Sequence, residues 1–342
     1  MKFLVFSLSF FLCSMPVLAA ARVTVDADFA KQVLSEVCTR QNIDEEAIRN
    51  DPAVTGMLKH FSQFRDYFTM EAYLSARQDA ANCVVPEKDF FRFAGVLEDR
   101  EKLSAIVYEM ASGQGEHSTT ITEMLAPYAP AGLSYEGRAV LVVGSPSCGG
   151  WSRGSTFFVD LPCISGDPEG LKYLIAHESY HGMQEMFMRE SSSASPVLKL
   201  LGEVMREGTA TAIADFSKIE NPGSYTRLSQ RVIEVNARRQ ASNFALLDMA
   251  VQYAQTQEEG YDAANGVGLS GAYDSPFYYV GVVMTRAIES ASGRQVLLAL
   301  LKESPQKFFN HYLALTARDD SLPKLGPVLS EWLSESETAS PD

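Results

Sequence analysis

Apolar residues recur three and four positions apart along most of this chain, and only two short stretches alternate or run apolar in the manner of strands. Residues 26 to about 127 read as mostly helical, with Asp26 and Asp44 as possible caps and Asp51-Pro52 marking a turn and a helix start. Phe61, Phe64 and Phe68 fall at helical spacing, which predicts core packing. Residues 112–120 carry two glycines and predict a loop that exposes His117. Strands are expected only in the middle, at 139–143 and 156–161. Helices follow over 167–187 and 197–216, then from Pro276, and then over roughly 294–303, 306–317 and 324–334. The glycine-rich stretch 259–271 predicts a loop able to act as a lid, and 336–342 a flexible polar tail. The pattern is that of an α+β fold, predominantly α-helical, with a small sheet.

The first 21 residues change the picture. Lys2 precedes an apolar run, and small residues follow at Ala19-Ala20-Ala21, as in a secretory signal peptide cleaved after Ala19 or Ala21. That run is too short for a convincing membrane span, so an exported chain without stable membrane insertion is expected, in the periplasm or secreted. Residues 22–130 then form an N-terminal helical region and 131–335 a second region. Removing Cys13 with the leader leaves Cys38, Cys83, Cys148 and Cys163. An even number in an oxidising compartment predicts two disulfides, for which local pairing, Cys38–Cys83 and Cys148–Cys163, is expected. The formal net charge of −14 without basic clusters argues against nucleic acid as a partner. Oligomeric state is not legible.

The chemistry concentrates in His177-Glu178-Ser179-Tyr180-His181, which uses two of only five histidines. Asp167 suits an N-cap, Pro168 the first helical position, and Glu169 the positive helix end. On that helix His177 and His181 stand on one face, one turn apart, and can share a metal ion. Zn²⁺ takes such nitrogens at about 2.0–2.1 Å, and Glu178 is placed to take a proton from water. The next helix carries two carboxylates, Glu203 and Glu207. Glu207 lies on the otherwise apolar line Leu200, Val204, Ala210, Ala214, where a carboxylate is costly unless it meets a cation. Gly208 beside it suggests close approach to the metal helix. The plainer reading makes Glu203 and Glu207 a solvated pair bonded to Arg206 and Lys199.

His177-Glu178-x-x-His181 followed by Glu207-Gly208-Thr209-Ala210 resembles the gluzincin metallopeptidases, and is most similar to families of zinc-dependent peptidases known chiefly from sequence. The resemblance implies one Zn²⁺ per chain held by His177, His181 and Glu207, with Glu203 the alternative third ligand. It implies hydrolysis of a peptide or protein substrate by a zinc-activated water with Glu178 as general base. A similar Y-x-x-G helix in such families points to Tyr278, ahead of Gly281, as the group that steadies the oxyanion; Tyr279 and His311 are the reserves. It also implies that the strand ahead of the metal helix is an edge able to pair with extended substrate. The alternatives are an exported zinc-binding adaptor that keeps the fold without turnover, and a zinc hydrolase of non-peptide amides.

Overall fold

The computed structural model describes residues 20–147, 149–164, 166–188 and 195–338. The expected leader lies outside them except for Ala20 and Ala21, as do Cys148 and the last four residues of the tail. Of the described residues 67% are helical, and among them is one mixed four-stranded sheet. Local chemistry sets many helix starts. The Asp44 side chain accepts from Ala47 N, and the Asp51 side chain accepts from Ala53 N ahead of Pro52. The Asp167 side chain accepts from Gly170 N ahead of Pro168. Each cap satisfies a backbone donor that the first turn leaves unpaired.

The sheet comprises β1 (Ala20–Asp26), β2 (Ser134–Val142), β3 (Gly150–Arg153) and β4 (Thr156–Asp160), in the order β1-β2-β4-β3. β1, β2 and β4 run parallel, and β3 returns antiparallel on β4. Two expectations are corrected here. Strands are not confined to the middle of the chain, because β1 pairs along its whole length with β2. Nor is the strand ahead of the metal helix an edge. β4 sits between β2 and β3, so its backbone groups are taken on both sides.

Two expected loops are helices. Gln114–Leu125 continues directly from the helix Arg100–Ser112, and His117 is buried with its ring over Gly113. Packing outweighs the glycines there: Thr122 Oγ1 accepts from Val23 N at 3.3 Å and ties this helix to β1. Residues Gly260–Gly268 also form a helix, whose last glycine lies against the Phe277 ring, so the expected lid is a packed element.

Among the described residues, the buried apolar side chains form two clusters. One joins the sheet, the N-terminal helices and the helix Pro168–Phe187; the other joins the helices from Gln240 onward. The helix Pro196–Ile213 belongs to both. Val197 to Met205 pack in the second cluster, and Ala210 and Ile213 in the first. Glu207 falls where the helix passes from one core to the other. Among the described residues, no helix is long and apolar enough to cross a membrane.

Candidate metal centre

The metal helix Pro168–Phe187 turns His177 and His181 to one side and packs its other face on β2 and β4. His177 Nε2 and His181 Nε2 stand 3.1 Å apart. Glu207 Oε2, from the neighbouring helix, lies 3.1 Å from His181 Nε2 and 3.5 Å from His177 Nε2. Donors around one tetrahedral zinc at about 2.0–2.1 Å stand about 3.3 Å apart. The three residues therefore already hold the spacing of a zinc triad, with all ligand atoms within 4.8 Å of one another.

The electrostatics agree with the geometry. Burial alone would raise the Glu207 carboxyl, but His181 and His177 outweigh it and hold that carboxyl well below the usual carboxylate range. Burial would likewise lower the His181 imidazole, but Glu207 and then Glu178 push it up. Both shifts describe a place that favours positive charge between two rings and a carboxylate. A bound metal cation answers that demand.

A residue missed by sequence reasoning fixes the ring. His181 Nδ1 lies 2.8 Å from Gln184 Oε1, and Gln184 is 1% exposed. Gln184 Nε2 donates to Arg206 O at 3.0 Å, so the amide can only present its oxygen to His181. His181 Nδ1 must then carry a proton, which leaves the Nε2 lone pair for a metal. Arg206 Nε also lies near Nδ1, at 3.4 Å. The shorter, better-matched Gln184 contact decides the tautomer. The signal in the sequence was the i, i+3 spacing of His181 and Gln184 on the metal helix.

Glu203 stands outside the three-residue group. It is half-buried one turn before Glu207, and burial raises its carboxyl, with Arg206 opposing and Glu207 adding to the effect. The solvated-pair reading fails for Glu207, whose carboxylate faces both histidines.

Gly208 makes close backbone contact, but not with the metal helix. A Cβ there would meet Gly281 Cα at 2.2 Å, and a Cβ on Gly281 would meet Val204 O at 2.2 Å. The partner is the helix Pro276–Ser292, which crosses Pro196–Ile213 backbone to backbone. Thr209 and Thr285 hydroxyls meet at 3.4 Å beside the crossing, and Arg286 Nη2 donates to Asp215 Oδ2 at 2.6 Å beyond it. The expectation for Gly208 is thus corrected: the glycine pair brings the tyrosine helix onto the ligand helix.

That crossing carries Tyr278 to the centre. Its ring lies nearly parallel to that of His177, at 9° with centroids 6.3 Å apart. Burial, then Glu207, Glu178 and Glu203, push its phenol up. Glu178 is half-buried on the metal helix and makes no hydrogen bond or ion pair with a described residue. Tyr279 and His311 are engaged elsewhere. Tyr279 OH donates to Gln240 Oε1 at 3.1 Å, and His311 Nε2 meets the Ser292 hydroxyl at 2.8 Å.

A family model described as "Putative zinc dependent peptidase (DUF5700)" matches residues 57–321. The chain belongs to the DUF5700 family. The matched span contains the whole metal centre, and the description agrees with the His177, His181 and Glu207 triad as a zinc site. No curated protein and no solved structure matches this DUF5700 chain.

Proposed function

We propose that this chain is an exported zinc peptidase that hydrolyses peptide bonds, with Glu178 as general base and Tyr278 as the donor to the oxyanion. The observation that carries the reading is the His177, His181 and Glu207 triad, flanked by a carboxylate and a phenol that are not part of it. Zinc, when bound, supplies Lewis acidity: it polarises a carbonyl and brings the pKa of water down to about 7.

The rest is the work of side chains. Glu178 follows His177 directly, so it projects about 100° around the helix from the ligand line and stays unligated. Its carboxylate takes the proton of the attacking water and hands it to the departing amine nitrogen, which restores the carboxylate. Burial and the surrounding carboxylates keep the Tyr278 phenol protonated. A neutral phenol donates to a developing oxyanion without losing its own proton. Export is supported by the leader-like first 21 residues and by the Cys38–Cys83 disulfide, a bond typical of oxidising compartments.

A diverse peptide library tests the proposal. Zinc-loaded wild type should cleave members of it, and Glu178→Gln should keep its zinc but lose turnover. Cleavage of nothing by the loaded wild type, or full turnover by Glu178→Gln, would sink the reading; indifference of the chain's function to Glu178→Gln is what an adaptor would show.

A further inference from the structure

The tyrosine helix begins in an unusual way. Asp274 (φ 61°) and Ser275 (φ 45°) are consecutive non-glycine residues in the left-handed region. Ser275 also precedes Pro276, and a residue before proline is normally driven to extended backbone. Such a turn persists only where the surroundings impose it.

The surroundings here are a polar relay. Asn236, 2% exposed in the helix Ser224–Arg238, donates from Nδ2 to Asp274 O at 2.7 Å. Its Oδ1 accepts from Nδ2 of Asn243 at 3.0 Å, and Asn243 is itself 4% exposed in the helix Gln240–Thr256. From outside, Arg239 Nη1 donates to Asp274 Oδ2 at 3.0 Å. Ser275 N closes the turn on Ser270 O at 3.1 Å. Tyr278 N then donates to Ser275 O at 3.1 Å, so Tyr278 lies in the first turn built on this base. A shift at Asp274 is passed to Tyr278 with only Ser275, Pro276 and Phe277 between them.

We infer that Asn236 is a positioning residue: through the Asp274–Ser275 turn it sets where the Tyr278 phenol stands over the metal centre. This rests on the reading of Tyr278 given above. Asn243 orients the Asn236 amide, since an accepted hydrogen bond at Oδ1 leaves Nδ2 for the Asp274 carbonyl.

The test uses full-length mature protein labelled with 3-fluorotyrosine, together with turnover of a cleaved peptide. Among resonances from the 14 tyrosines, that of Tyr278 is the one lost in Tyr278→Phe. Asn236→Ala should move this resonance, and Asn236→Gln, with its longer side chain, should move it too. In the zinc form Asn236→Ala should lower kcat roughly tenfold to a hundredfold, with KM and zinc content kept. Placed in the Tyr278→Phe background, Asn236→Ala should cost nothing further, because it acts through the phenol. Ser275→Gly relaxes the left-handed turn without cutting the relay. It should keep or raise Tm while lowering kcat, an opposition that a merely structural role does not produce.

An unmoved Tyr278 resonance in a folded Asn236→Ala protein overturns the inference. So does an additive loss in the Tyr278→Phe background. A moved resonance alongside a fully active Tyr278→Phe would instead leave the positioning intact and overturn the catalytic reading of Tyr278.

Discussion

Gly281→Ala is the sharpest perturbation of the architecture behind this site. A Cβ at that position would stand 2.2 Å from Val204 O and 2.7 Å from Gly208 Cα. Ordinary contact begins at 3.4 Å, so the two helix backbones must part by about 1.2 Å. Alanine gains about 1 kcal/mol of helix propensity over glycine. Overpacking against rigid backbone costs about 1–3 kcal/mol, so the net effect is destabilisation of up to about 2 kcal/mol. At this chain length that is a fall in Tm of up to roughly 3 °C.

The larger effect is on chemistry. Glu207 adjoins Gly208, and Tyr278 lies one turn before Gly281, so parting the helices draws the phenol away from the metal centre. A displacement near 1 Å costs about a hundredfold in rate. We expect kcat/KM on a cleaved peptide to fall by about that factor, with one zinc per chain retained, since the ligands keep their own helices. Gly202→Ala is the control. Its Cβ would meet only Pro305 Cγ, at an ordinary 3.5 Å, so it should gain up to about 1 kcal/mol and leave activity unchanged. A Gly281→Ala protein that melts at or above wild type with full kcat/KM would refute the argument.

Three further outcomes are expected. Gln184→Ala frees the His181 ring to rotate and change tautomer, and should weaken zinc about 10- to 100-fold in competition with a chelator; unchanged affinity would remove Gln184 from the account. Replacing Cys38 and Cys83, 45 residues apart, should cost about 2–4 kcal/mol in urea unfolding, and an unmoved midpoint would contradict that. Asp160 is fully buried with both carboxylate oxygens unpartnered among the described residues, and burial raises its carboxyl well above the usual range against the pull of Arg92. The folded state thus holds a proton that the unfolded chain has released, and stability declines as pH rises above the unfolded value near 4. Asp160→Asn should remove that decline, so its Tm advantage over wild type should be larger at pH 8 than at pH 4, and an advantage independent of pH would speak against it.

What could be read from residues was local. Asp167, Pro168 and the apolar stripe specify the metal helix within a few positions of one another, and the i, i+4 histidines share a face wherever that helix packs. The preference for Glu207 over Glu203 came from the resemblance carried by Glu207-Gly208-Thr209-Ala210, added to a carboxylate on an otherwise apolar line. What escaped was non-local. β1 starts at the end of the N-terminal apolar run, and its pairing with β2 spans more than a hundred residues, which no local alternation reveals. The same holds for β3, which takes the edge that β4 was expected to occupy. Gly208 announced a close approach, but only the fold names Gly281 as its partner. At 112–120 and 259–271 glycine content suggested loops, where contacts to β1 and Phe277 sustain helices.

The most direct test of the zinc site is elemental analysis of the purified protein beside His177→Ala, Glu207→Ala and Glu203→Ala. Wild type and Glu203→Ala should each hold one zinc per chain, and the other two variants should lose it. Zinc retained in Glu207→Ala, or no metal in wild type after reconstitution, would contradict that site.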